Sequence, residues 1–294
     1  MFILMFGMGL TLSAGDFRRI ARNPRATILG TALQLLVMPV VGIALANFFE
    51  LSPILGAGIV VVAACPGGMF SNMFVHLARG HTALSITLTA TATLVTLFTL
   101  PLWVQFALTT FSTDGAPPIQ MPVLDTALRL GTLSVLPVAI GMGVRNRWPS
   151  TAVWERKLST LASIVIVISV ATEGSARPEV PLEDFLRSVA PAAGFAIAAV
   201  LVGLIVPALF RISARDTVTI AVELVVKNTL LGMVLVGQVL DFEAILPILA
   251  FAMFQTPAGA LLLGTWRFLE NRGVFEKAED LSRNVAGSSR HSAP

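Results

Sequence analysis

The sequence predicts an all-α membrane protein of about nine transmembrane helices, in which two groups of three helices echo each other around broken middle helices. Three observations predict this. The 294 residues are 55% hydrophobic and only 13% charged, about half the charge of a soluble domain, with a mean hydropathy of +0.82. The charges cluster between apolar runs of about 17 to 25 residues, the length that crosses a bilayer. Two of those runs carry helix breakers or ionisable side chains near mid-membrane depth. This pattern excludes an ordinary globular enzyme and makes the lipid bilayer the chain's main partner. The lone Cys65 excludes an internal disulfide framework or a cysteine zinc cluster. His76, His81 and His291 are too scattered to form a metal site. The net charge of +3 reflects loop arginines and is no footprint of nucleic acid.

Taken in order, residues 1–12 (MFILMFGMGLTL) are apolar but too short to cross a core of about 30 Å alone. No basic stretch precedes them, and Arg18, Arg19, Arg22 and Arg25 follow closely. The segment therefore reads as the end of a truncated first helix rather than as a signal peptide. Eight apolar spans follow, near 26–48, 54–76, 82–111, 121–143, 158–172, 185–210, 217–239 and 245–268. The polar tail over 270–294 is rich in Ser and Arg and is expected to be disordered. The four tryptophans, Trp103, Trp148, Trp154 and Trp266, stand mostly near predicted span ends, where interfacial anchoring explains them.

Charge sets the orientation. Alternate loops and the tail hold sixteen of the twenty basic residues, including Arg79, Arg145, Arg147, Arg156, Lys157, Arg211, Arg215, Arg267 and Arg272. The intervening loops are acidic, with Glu50, Asp114, Glu173, Glu179, Asp184, Asp241 and Glu243. The positive-inside rule then puts the basic loops and the C-terminus in the cytoplasm and the N-terminus outside, across a cell inner (plasma) membrane.

The triplets 26–111 and 185–269 each have a middle helix with polar residues inside the membrane. One reads ACPGGMFSN (64–72), the other VELVVKN (222–228). The first triplet starts in the cytoplasm and the second outside, so the repeats are inverted. Discontinuous helices at matching points of inverted repeats mark a transporter's binding site. Pro66, Gly67 and Gly68 should unwind the first helix, freeing carbonyls that a cation can satisfy, while a half-helix N-terminus suits an anion. Ser71 and Asn72 add side-chain oxygens. Ser85 and Thr89, four residues apart, stack two hydroxyls on one helix face. Small polar residues also serve as glue between membrane helices, so this set alone leaves both readings open. Glu223 weighs toward a site, because a carboxylate in the membrane requires a partner: a cation, a proton, or Lys227 four residues later. Gln34 adds a mid-span amide. Asp125 and Arg129 read as an intrahelical bridge, and Cys65 as a small packing residue.

These residues resemble the bile acid:sodium symporter family. The likeness runs from FGMGLTL (6–12) through QLLVMP (34–39), CPGGMFSN (65–72) and LARGHTALSITLTA (77–90) to ELVVKN (223–228). The resemblance implies a core of two inverted triplets whose broken helices cross, and a smaller panel of the remaining helices, 1–12 and 121–172. It implies a sodium position at Ser71, Asn72, Ser85, Thr89 and Glu223. A second position would use Gln34, Glu223 and the carbonyls of Leu224 and Val226, with a glutamine where this chain has Lys227. A lysine ammonium carries sodium's charge, so one sodium site is expected, with Lys227 as surrogate for the second ion. Val225 replaces a frequent glycine, which weakens the expectation of unwinding there. Asn228, Gln255 and Thr256 fall at substrate-facing positions. The expected activity is sodium-coupled symport of a small organic anion by alternating access. The competing transporter readings are a proton-coupled or sodium-independent organic-anion carrier and an arsenite-type efflux permease. A membrane enzyme or sensor is disfavoured, because no nucleophile–base pair or output domain is evident.

Overall fold

Prolines, glycines and capping side chains decide where this chain stays helical. The computed structural model describes residues 2–11, 24–111, 123–154 and 182–272, with isolated positions between 157 and 172 that are helical. Its helices are α1 (Phe2–Thr11), α2 (Pro24–Phe48), α3 (Pro53–Ala64), α4 (Met69–Leu77) and α5 (Thr82–Phe111). They are followed by α6 (Val123–Arg147), α7 (Leu182–Leu209), α8 (Ala214–Val225), α9 (Thr229–Val239) and α10 (Leu246–Asn271). Among the described residues the only extended pairing is one antiparallel bridge between Gly67 and Lys227. The chain is all-α.

Among the described residues, three helices are long and apolar enough to cross a membrane singly: Pro24–Phe48, Leu182–Leu209 and Phe242–Asn271. Helix α5 crosses as a bent pair, turned by 61° between Thr96 and Phe98. Pro101 explains the bend, since its ring clashes with the carbonyl four residues earlier, at Leu97. Spans 54–76 and 217–239 each divide into two half-helices, α3 with α4 and α8 with α9. The fifth span, 158–172, is described only at isolated positions, and the tail beyond Arg272 lies outside the described residues, as do the side chains of Asp125 and Arg129.

Proline acts differently in α2. Pro39 has no N–H to give the Leu35 carbonyl, and the helix widens into a π turn over Leu33–Val37 just before it. The freed Leu35 oxygen accepts the indole N–H of Trp103 at 3.1 Å. Trp103 is thus half-buried and bonded inward, which corrects its reading as an interfacial anchor.

Two stretches share one local plan. Phe49-Glu50-Leu51-Ser52 closes α2 and opens α3; Phe210-Arg211-Ile212-Ser213 closes α7 and opens α8. Glu50 and Arg211 both take left-handed backbone, with φ of 50° and 54°. Behind them Leu51 N–H reaches Ala46 O and Ile212 N–H reaches Pro207 O, the Schellman turn in both cases. Ser52 and Ser213 then cap the next helix through Leu55 N–H and Asp216 N–H. The separation is 161 positions from Phe49 to Phe210, from Pro53 to Ala214 and from Ala64 to Val225. Both half-helices are twelve residues long and buried along most of their length. A further tie holds the ends of α4 and α8 together. His81 Nδ1 lies 2.8 Å from Asp216 Oδ1, His81 N–H donates to Thr219 Oγ1, and Arg215 Nε donates to Arg79 O.

Helices α1 and α6 pack with almost no side chain between them. A Cβ on Gly9 would overlap the Val138 carbonyl, and one on Gly141 the Phe6 carbonyl, the close approach that small residues permit in membranes. Arg145 Nη1 then donates to Leu10 O at 3.1 Å, satisfying a carbonyl at the end of α1. Gly141→Val is expected to lose about 1–3 kcal/mol through overpacking. Gly143→Ala, with nothing within 4 Å of the added Cβ, should be neutral or gain up to about 1 kcal/mol of helix propensity. Thermal unfolding of the two variants in detergent checks the contrast; equal effects would mean α1 and α6 do not pack this way.

Candidate functional site

The site forms where the two broken helices cross. Cys65 precedes a proline and so takes extended backbone (φ −63°, ψ 143°), which ends α3. Gly68 is extended as well, and α4 begins after it. The second break spans Val226–Asn228 and contains neither proline nor glycine, so the chain unwinds despite Val225. The cause is tertiary. Gly68 N–H donates to Val226 O at 3.0 Å and Asn228 N–H to Pro66 O at 2.9 Å, so each break pairs the other's backbone. Asn228 Oδ1 then caps α9 through Leu231 N–H at 3.0 Å.

Inside a bilayer every freed carbonyl needs a partner, and those ending α3 can be followed one by one. Cys65 N–H serves Val61 O and Val62 O. Thr96 Oγ1 donates to Ala64 O at 3.1 Å. Lys227 Nζ donates to Ala63 O at 3.3 Å and Cys65 O at 3.0 Å. The lysine is 2% exposed, and its ammonium sits against the negative end of the α3 dipole. The helical Glu223–Lys227 pair suggested by their spacing is not formed, because α8 ends between them. The carbonyls that hold the ammonium are those of Ala63 and Cys65, not Leu224 or Val226, and the Val226 oxygen is committed to Gly68.

Glu223, 1% exposed, enters a ring of hydroxyls. Ser71 Oγ lies 2.8 Å and Ser85 Oγ 2.5 Å from its Oε1, and Thr89 Oγ1 lies 2.8 Å from its Oε2. Ser71 Oγ is also 2.6 Å from Gly68 O, and Ser85 Oγ 2.7 Å from Asn72 Oδ1. The structure thus brings Ser71, Asn72, Ser85, Thr89 and Glu223 together. Gly67 makes room for them, since a Cβ there would overlap Glu223 Oε2. These five oxygen–oxygen contacts share three hydroxyl hydrogens, one per Ser or Thr. Turning over the Asn72 amide, whose N and O are assigned by bonding alone, supplies a fourth. One contact still lacks a hydrogen, which is where a cation or an extra proton fits.

The other expected residues fall around this centre. Gln34 is fully buried, and neither Oε1 nor Nε2 has a hydrogen-bond partner. Gln255 braces the second break, accepting Lys227 N–H at 3.0 Å and donating to Thr229 Oγ1 at 3.2 Å. Thr256, its neighbour, is exposed. The N-termini of α4 and α9 meet at the crossing, with the Gly68 and Asn228 backbones in contact. The positive ends of both half-helix dipoles therefore point to one place.

Residues 1–177 match the Sodium Bile acid symporter family. The chain belongs to that family. It is therefore a multi-pass membrane transporter and not an enzyme. Among similar proteins, the uncharacterized sodium-dependent transporter YocS of Bacillus subtilis is 28% identical over 95% of this chain and 86% of its own length. The ileal sodium/bile acid cotransporter of Oryctolagus cuniculus is 27% identical over 90% of the chain and 76% of its own. A probable sodium/metabolite cotransporter of the chloroplast, BASS2 from Oryza sativa subsp. japonica, is 27% identical over 94% of the chain and 64% of its own.

Two buried, opposite charges at one crossing should be energetically coupled. Lys227→Met strands two carbonyls and leaves Glu223 without a buried countercharge, and is expected to cost about 3–5 kcal/mol. Adding Glu223→Gln should recover part of that loss, with an interaction energy of about 0.5–3 kcal/mol. A double-mutant cycle read by thermal unfolding measures it; strict additivity would mean the two charges act independently.

Proposed function

We propose that the chain is a sodium-coupled symporter of small organic anions that works by alternating access. One sodium binds at Ser71, Asn72, Ser85, Thr89 and Glu223, and the Lys227 ammonium stands where a second ion would. The observation that carries this reading is the shortage of hydrogens around the Glu223 carboxylate. An all-oxygen set of carboxylate, hydroxyls, amide and backbone carbonyl suits a hard cation, and broken half-helices supply such sites in transporters. The names of the relatives, which speak of sodium, bile acids and metabolites, support the same coupling ion and substrate class.

Charge arithmetic explains the coupling. Glu223 and Lys227 together are neutral. Sodium makes the crossing positive, and an anion at the N-termini of α4 and α9, beside Asn228 and Thr256, returns it to neutral. Each ligand therefore favours the other, which is what symport requires. We read the matching turns at 49–52 and 210–213 as marks of two inverted repeats, 26–111 and 185–269, that form the core. Segments 1–12 and 121–172 form the panel against which the core moves. The arginine distribution supports a plasma-membrane orientation with the N-terminus outside and the C-terminus cytoplasmic.

A proton on Glu223 also supplies a missing hydrogen, so proton coupling is the second reading. Thermal stabilisation of the purified protein by sodium, with potassium as control, separates the two. Sodium at 100 times its dissociation constant should add about 2.7 kcal/mol. That gain should vanish in Glu223→Ala, and in Lys227→Gln it should become larger or more cooperative. Absence of any sodium effect in the wild-type protein, with uptake persisting in sodium-free vesicles, would establish the proton reading instead.

The stoichiometry has its own readout. One sodium with a monoanion moves no net charge, whereas two would move one, driven by about 2.3 kcal/mol per 100 mV. Uptake of a monoanion into sealed vesicles should therefore be indifferent to membrane potential in the wild-type protein and driven by it in Lys227→Gln. Voltage-driven uptake by the wild type would count against Lys227 as the fixed cation.

A further inference from the structure

Helices α7 and α10 run side by side and leave a groove of about 410 Å³ between them, lined almost wholly by apolar side chains, among them Ile197, Leu201 and Leu204 of α7 and Pro257, Leu261 and Thr265 of α10. Ile197, Leu201 and Leu261 are exposed, so the groove opens on the outer face of the helix pair. From Ala196 to Leu204 it is about 12 Å long, and from Phe254 to Thr265 about 16 Å, at 1.5 Å per residue. That matches one leaflet of a hydrocarbon core about 30 Å thick. A groove of this length, lined by apolar side chains and open on its outer face, accommodates a hydrocarbon chain.

Both walls end in arginine. On α10 the ridge Leu261, Thr265, Phe268, Arg272 keeps the i, i+4, i+7, i+11 spacing of one helix face. The Arg272 guanidinium lies 4.3 Å from the centre of the exposed Phe268 ring. On α7 the same spacing runs through Ile197, Leu201, Leu204 and Ala208 to Arg211, which is exposed in the left-handed turn after the helix. Glu270, the acidic residue of this stretch, projects about 160° away from Arg272 around α10, at 100° per residue. We propose that this groove binds one anionic phospholipid, an acyl chain lying between α7 and α10 and the phosphate held by Arg211 and Arg272. Basic pockets between membrane helices recognise lipid headgroups in this way. The site is separate from the ion crossing and does not rest on the sodium reading.

Native mass spectrometry and thermal unfolding of the full-length protein in mild detergent test it, with dioleoyl phosphatidylglycerol and dioleoyl phosphatidylcholine as probes. Two arginines should make phosphatidylglycerol bind roughly ten- to thirty-fold tighter than phosphatidylcholine. Arg211→Gln with Arg272→Gln should bring the two lipids within about threefold of each other. Ala258→Phe, which fills the groove, should lower the affinity for both, and Glu223→Ala should change neither. Equal binding of the two lipids by the wild type, a preference that survives the double arginine variant, or equal competition by glycerol 3-phosphate without acyl chains would overturn the proposal.

Discussion

Everything at the centre of this protein depends on one constraint: backbone polar groups exposed by a broken helix must find partners where there is no water. Neither break could exist alone. Pro66 and the two glycines end α3, but the groups they free are satisfied by the second break, by Thr96 and by the Lys227 ammonium. The second break has no breaker residue of its own and is held open by bonds to Pro66 and Gly68. Each discontinuity is thus the folding partner of the other. The charge on Lys227 is retained in the interior because it meets two carbonyls and a helix end, and because Glu223 balances it nearby.

The choice of hydroxyls around Glu223 follows from what a carrier must do. A site made of several carboxylates would hold an ion firmly but would be left with unpaired buried charges once the ion departed. Ser71, Ser85 and Thr89 can donate to the single carboxylate, as they do in this structure, and can also offer lone pairs to a cation while still donating. The carboxylate keeps partners either way. Cation binding there, as proposed, would redistribute hydrogen bonds instead of creating and abandoning charges, which would keep loaded and empty forms close in energy.

Much of this was legible in the sequence, and the rest fails to be for identifiable reasons. The break at 65–68 is written in Pro66, Gly67 and Gly68, and the carboxylate, hydroxyl and amide residues are of the right types at helical spacing. The second break is invisible locally, since VELVVKN has ordinary helix formers and its unwinding is imposed from across the crossing. Lys227 shows the same effect: its spacing allows an i, i+4 pair with Glu223, whereas the end of that helix turns it to Ala63 and Cys65. Phe-x-aliphatic-Ser at 49–52 and 210–213 sets the register of the two stretches more firmly than polar residues in the broken helices. Trp103 is bonded inward because a proline defect in another helix, at Pro39, creates its acceptor.

The Lys227 ammonium also changes what kind of site the crossing can be. A free ion at the end of α3 must bind and leave in every cycle, so the carbonyls it serves are satisfied only part of the time. A tethered ammonium never leaves, and the negative end of α3 stays capped throughout. On the proposed reading, all the variability in charge is then concentrated on Glu223 and its hydroxyls. Gln34 fits this account from the other direction. It is a fully buried amide whose oxygen and nitrogen have no partner, a costly arrangement. Exchanging Lys227 for a neutral amide is therefore the substitution with most leverage on the proposed ion number, because it frees two carbonyls at a helix C-terminus.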